Sequence, residues 1–306
     1  MSQNDESGSP PATPSRRRTV LLAGRPFVSG AIVAICVSIF LALALENNDG
    51  SWQSLAKWGV LPATTIWEGA YWGLLPGVFV HLAVWHLAFN MYWLWVLGSR
   101  LESAIGHVWF LAFFVAAGFV SSSFQLAMSD STGIGASGVV YAIFGFMWAA
   151  RFHFQNFRDV LDRQTANIFM IWLVACIAVT ALDVWTVGNA AHVSGMLFGG
   201  VVAGCFVLKR RMMVVALAML LIASITPLVW CPWSVTWLSN RAYHAHAGGH
   251  YREALAHYAR IIQEDPQSAW AYFNRGSVYD ALGDPEMGDV DRRRAREIDP
   301  LIDSRD

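Results

Sequence analysis

The stretch SDSTGIGASGVVYAIFGFMWAAR, residues 129–151, decides the fold. From Ser137 to Ala150 it is apolar and then closes on Arg151, yet it supplies only 14 residues where a membrane-spanning helix needs about 20. Such a helix serves as a span only if the polar, glycine-rich loop before it, residues 129–136, descends into the membrane to meet it. Irregular backbone is tolerated at that depth only inside protein or beside a water-filled cavity. Gly133, Gly135 and Gly138 give the loop its freedom to turn and to approach neighbours closely. Ser137 then stands at a helix N-terminus, whose free amides and positive dipole end favour a developing oxyanion.

The rest of the chain makes the bilayer its solvent. Hydrophobic residues are 55% of the 306, charged residues 14%, and the mean hydropathy of +0.40 is too high for an ordinary water-soluble domain. Apolar runs near 27–45, 76–97, 107–127, 137–150, 167–182, 190–208 and 212–230 predict seven spans. The Trp-rich stretch 51–75, interrupted by Pro62, Glu68 and Gly69, reads as a partly embedded outer loop. Basic residues mark every second connection: Arg16–Arg18 and Arg25, Arg100, Arg151 with Arg158 and Arg163, and Lys209–Arg211. Those connections are expected in the cytosol, with the N-terminus among them. The polar segment 1–26 reads as a disordered cytosolic tail. Cys36, Cys176, Cys205 and Cys231 show no metal or redox spacing and read as packing residues. A net charge of -1, with its signs segregated along the chain, leaves no nucleic-acid footprint.

Beyond Pro232 the composition changes and the chain repeats itself. Asn240-Arg241 recurs as Asn274-Arg275, Gly249 as Gly283, Ala254 as Gly288 and Asp265-Pro266 as Asp299-Pro300, each 34 residues on. That period resembles the tetratricopeptide helix-turn-helix repeat. Two repeats are fewer than the three or so that bury a continuous core, so docking on the membrane domain, self-association or a protein partner is expected to complete it. His244, His246 and His250 lack acidic or cysteine support and read as a solvated face, with metal binding the lesser alternative.

Three outside-to-inside spans carry polar residues that lipid does not tolerate without purpose: His81, His86 and Asn90, then Ser137, then His192. Counting at about 1.5 Å per residue from the basic ends puts Ser137 and His86 roughly 20 Å, and His192 roughly 25 Å, above the inner edge of a core about 30 Å thick. Gly195 and Gly199 form a small face one turn after His192, and Gly138, Ala142 and Gly145 form its counterpart, so the two helices are expected to pack closely. That brings Ser137 within reach of His192, which can take the hydroxyl proton and return it to a leaving amine. No acidic third member is placed to orient the imidazole, and Tyr141, one turn below Ser137, is expected to hold it by stacking.

Gly135-Ala136-Ser137-Gly138, His81-x4-His86-x3-Asn90 and Ala191-His192-x2-Gly195-x3-Gly199 together resemble the rhomboid protease family over about residues 50–210. Beside the seventh membrane helix at 212–231 and the tetratricopeptide-like helices at 232–306 read above, the resemblance implies an all-α fold with a six-helix membrane core within 27–211. It implies Ser137 as nucleophile and His192 as base, needing no cofactor or metal. His86, Asn90 and backbone amides around Gly135 and Ser137 would bind the oxyanion, and His81 would brace the outer loop. Substrates would be single-span membrane proteins, and the setting a bacterial cytoplasmic membrane. Where the family's outer loop often carries a Trp-Arg pair, this chain has Trp72-Gly73. The competing reading is a catalytically inactive relative that binds or escorts membrane clients.

Overall fold

A computed structural model describes residues 24–46, 50–208 and 211–304. Arg16–Arg18 and nearly all of the 1–26 tail lie outside the described residues, as do Lys209 and Arg210. In chain order the helices are α1 (Phe27–Leu45), α2 (Trp52–Ala56), α3 (Ala63–Trp67), α4 (Val84–Trp93), α5 (Ser99–Ile105), α6 (His107–Ser129), α7 (Ser137–Ala150), α8 (Gln155–Arg158), α9 (Arg163–Ala181), α10 (Asn189–Leu208), α11 (Arg211–Val229), α12 (Val235–Ala247), α13 (Tyr251–Glu264), α14 (Ala269–Ala281) and α15 (Pro285–Ile298). No strand occurs among the described residues.

Among the described residues five helices, α1, α6, α9, α10 and α11, are long and apolar enough to cross a membrane. The run expected as one helix over 76–97 is instead broken. Tyr71–Phe79 and Val84–Ile105 meet at 96°, because Val80 and Ala83 are extended. The cause is tertiary: the Gly77 carbonyl accepts the Gly135 N–H at 2.8 Å, and a Cβ on Gly77 would press on the Gly133 carbonyl. Apolar composition alone cannot reveal such a break. His81 therefore lies in the break and not on a helical face with His86 and Asn90. Around 51–75 the expected outer loop contains α2, α3 and a 3-10 turn at Tyr71–Leu74. A Cβ on Gly73 already sits 2.9 Å from Leu61, so an arginine there would displace the packing that holds this loop.

The 14-residue α7 is about 21 Å long, short of a hydrocarbon core of about 30 Å. It avoids lipid by being enclosed, with Val139, Ala142, Ile143, Phe146 and Met147 all at 0% exposure. Small residues let α10 reach its backbone: a Cβ on Gly195 would collide with the Gly138 carbonyl, one on Gly199 with that of Ala142, and one on Gly145 with that of Met196. In lipid such close approach supplies the packing that hydrophobic burial supplies in water.

The C-terminal helices α12 to α15 form two pairs, each turning on a left-handed glycine, Gly249 at φ +73° and Gly283 at φ +83°, 34 residues apart. Arg275 makes a forked pair with Asp291 at 2.7 and 2.8 Å, and Tyr258 is fully buried. The pairs do not stand alone. Trp237, Leu238 and Tyr258 join an apolar cluster that includes Ala127 of α6 and Trp67 of α3. The Trp67 indole donates to the Pro227 carbonyl of α11 at 3.0 Å, and His244 lies 3.3 Å from Glu68. Docking of this kind buries the face that two helix pairs leave open.

The helix pairs thus sit at the end of the bundle from which the 130–136 loop drops to Ser137. A reporter fused after Asp306 is expected to be active only outside the cytosol, since α11 follows the basic cluster that the sequence reading expects in the cytosol and is long enough to cross. Activity confined to a cytosolic reporter would leave α11 uncrossed. A thiol reagent is the poorer probe, because Cys231 is fully buried.

Candidate active site

Ser137 opens α7 directly after the loop, and its Oγ is 2.8 Å from Nε2 of His192 in the first turn of α10. The His192 ring lies against Tyr141 at 4.7 Å between centroids and 29° between planes, and the Tyr141 hydroxyl donates to the Phe169 carbonyl at 3.0 Å. The tyrosine is therefore fixed by α9 while it fixes the imidazole. His192 is 3% exposed, and its Nδ1 has no hydrogen-bond partner among the described residues. Stacking, with no carboxylate, orients the ring.

On the facing side, His81 accepts at Nε2 from the Ala136 N–H at 3.3 Å and from the Asn90 side-chain amide at 3.2 Å. Its Nδ1 lies 3.3 Å from the Phe79 carbonyl and donates to it. One imidazole thus ties the 3-10 turn Pro76–Phe79, the loop entering Ser137 and α4 together. His81 and His86 have ring centroids 5.0 Å apart, because the chain break folds His81 back. Gly135, at φ +100°, sits where any Cβ would strike the His86 ring, so glycine is demanded there by backbone angle and by space.

These residues line one cavity of about 580 Å³ that holds Ser137, His192, His86, Asn90, Gly135 and Tyr141 together. His81 stands behind its wall. Ser137 and Gly138 lie in the first turn of α7, where N–H groups have no intrahelical acceptor. The cavity therefore combines a hydroxyl beside an imidazole, unpaired amides and polar side chains opposite, which is the chemistry needed to attack a carbonyl and hold the oxyanion.

Two polar residues escaped the sequence reading. The Gln125 carboxamide oxygen accepts the Ala191 N–H at 3.1 Å, and its nitrogen donates to Ser129 at 2.8 Å, so it ties α6 to the turn bearing His192. Glu102, fully buried, accepts from the Val28 and Ser29 amides at 2.9 and 2.8 Å and caps α1. Both were detectable as polar groups beside or within apolar runs.

Among curated proteins, the chain is 28% identical over 170 residues to Rhomboid protease GlpG of Serratia proteamaculans, covering 55% of this chain and 58% of that one. It is 27% identical over 177 residues to Rhomboid protease GluP of Bacillus subtilis, covering 58% and 34%. Against Rhomboid protease GlpG of Salmonella paratyphi A it is 26% identical over 187 residues, covering 60% and 64%. In each case the chain spans less than two thirds of the relative's length. The part that contains Ser137, His192 and the residues around them, residues 68–210, matches the family model described as the Rhomboid domain.

Proposed function

We propose that this chain is an intramembrane serine endopeptidase that hydrolyses peptide bonds in or near the transmembrane segments of other membrane proteins. The observation that carries the reading is the 2.8 Å approach of Ser137 Oγ to His192 Nε2 inside a cavity that also holds candidate oxyanion donors. His192 takes the Ser137 proton as Oγ attacks the scissile carbonyl. The negative charge that develops on the carbonyl oxygen is held by the free amides at the start of α7, with His86 and Asn90 opposite. His192 then protonates the leaving amine, and water hydrolyses the acyl-enzyme by the reverse sequence. No cofactor or metal enters this scheme. A substrate helix must open locally to present its carbonyl, so single-span proteins with helix-weakening Gly or Pro near the outer face are the preferred class.

The chain is read as a multi-pass protein of a bacterial cytoplasmic membrane with a cytosolic N-terminus, and α12 to α15 as tetratricopeptide-like repeats that meet a client or partner. The inactive, client-escorting alternative is disfavoured because both Ser137 and His192 are present and in contact. A fluorophosphonate probe separates the two readings, since only an activated serine is labelled: modification of the wild type at Ser137 supports the protease, and none supports the escort.

His86→Ala and Asn90→Ala are each expected to slow turnover by roughly 10²-fold while leaving Ser137 open to labelling, the loss typical of one oxyanion donor. Asn90→Ala also frees one bond to His81, so its effect should be at least as large. Turnover at the wild-type rate in both variants would assign the oxyanion to backbone amides alone.

A further inference from the structure

The loop that delivers Ser137 is anchored at both ends. At its far end Gly135 donates to the Gly77 carbonyl at 2.8 Å and Ala136 to His81 at 3.3 Å. At its near end the anchors come from more than 100 residues downstream, outside the segment that matches the Rhomboid domain. Asp130 ends α6 in the left-handed conformation, φ 52°, with its N–H on the Leu126 carbonyl. The Ser234 hydroxyl donates to the Asp130 carboxylate at 2.5 Å. The same hydroxyl accepts the Trp237 N–H at 2.9 Å as the N-cap of α12. Beside it the Trp233 indole N–H donates at 2.7 Å to the Ala127 carbonyl, one of the last-turn carbonyls of α6 that no helical amide reaches.

We propose that Ser234 and Trp233 are positioning residues for catalysis: they couple the first C-terminal helix to the loop that carries Ser137. A single hydroxyl is shared between the start of α12 and the end of α6, so displacement of α12 is transmitted to Asp130. Only six residues, 131–136, separate Asp130 from Ser137, and the stretch is fixed at its other end, so a shift at Asp130 must be absorbed within it. Ser131, Thr132, Gly133 and Ile134 in that stretch line the cavity, and the shift therefore alters both the nucleophile's approach and the cavity wall. Displacements of about 1 Å at a reacting group cost on the order of 10²-fold in rate. The inference rests on the reading of Ser137 as the nucleophile.

The test uses the full chain and two independent ways of breaking the bridge. Ser234→Ala removes the shared hydroxyl, and Asp130→Gly removes its acceptor while keeping the left-handed cap unstrained and the α12 cap intact. Each is expected to lower kcat about 5- to 20-fold with KM within about twofold, to slow fluorophosphonate labelling by the same factor, and to speed amide hydrogen exchange in residues 131–136. The double variant should fall no further than either single one, as expected for one shared contact. Ser234→Thr and Asp130→Asn, which keep donor and acceptor, should restore both rates, and Trp233→Phe should reproduce part of the loss. Wild-type rates and unchanged exchange at 131–136 in Ser234→Ala and Asp130→Gly would overturn the proposal. If the wild type takes no label, the Ser137 reading fails, and the exchange measurement alone then decides whether the anchor exists.

Discussion

Ser137→Ala and His192→Ala are each expected to reduce cleavage of a reconstituted single-span substrate to background, a fall of roughly 10⁴-fold or more. The size follows from the arrangement: one hydroxyl, one imidazole 2.8 Å away, and no other side chain hydrogen-bonded to that hydroxyl among the described residues. Nucleophile and base act as a unit, so losing either removes nearly the whole chemical step and the double variant should be no worse than the single ones. Neither change should disturb the bundle. Ser137 lies at the start of α7, where alanine fits, and His192 is held by stacking on Tyr141 and makes no hydrogen bond at Nδ1. Wild-type yield and thermal midpoint with no cleavage is therefore the expected result. Substantial turnover by purified Ser137→Ala protein would sink the protease reading, because no other hydroxyl among the described residues is hydrogen-bonded to His192.

Why the approach of Ser137 to His192 could be read from the sequence, and the bend that carries His81 could not, is a matter of which forces leave a trace in composition. A serine and a histidine at similar depth in different apolar runs are conspicuous because lipid penalises both. The glycines at 138, 145, 195 and 199 announce close helix contact because in a membrane small residues drive it. The short α7 was visible because Arg151 fixes one end and the polar loop the other. The break at 80–83 left no such trace. Three of its four residues are apolar, a histidine alone does not predict a bend, and the backbone before it pairs through Gly77 with a loop nearly sixty residues away. With it came the true environment of His81, which reaches Ala136 and Asn90 from a bend and not from a helical face. Docking on the membrane domain was one of the ways expected to complete the two repeats, beside self-association or a partner. Its contacts with Ala127, Asp130 and Glu68 are single polar bonds between distant segments, and no periodicity encodes them.

Gly199→Leu is expected to abolish serine labelling and to destabilise the bundle together, in contrast to the dyad variants, which lose chemistry alone. A Cβ at 199 would collide with the Ala142 carbonyl, and its neighbours at 195 and 145 are under the same constraint from the opposite backbone. Backbone cannot rotate out of the way as a side-chain tip can, so α10 must move off α7. Overpacking of this kind costs about 1–3 kcal/mol when the surroundings give and more when they cannot. His192 lies two turns before Gly199 on the same helix, so a displacement of about 1 Å there carries the imidazole beyond hydrogen-bond reach of Ser137, worth on the order of 10²-fold in rate on its own. Gly200 provides the control. Its nearest neighbour to an added Cβ is the Gly145 carbonyl at 3.9 Å, an ordinary van der Waals contact, and Gly200→Ala should keep both labelling and thermal midpoint. Equal behaviour of the two variants would mean that α7 and α10 are not held backbone to backbone, and the 2.8 Å approach of Ser137 to His192 would then need another support.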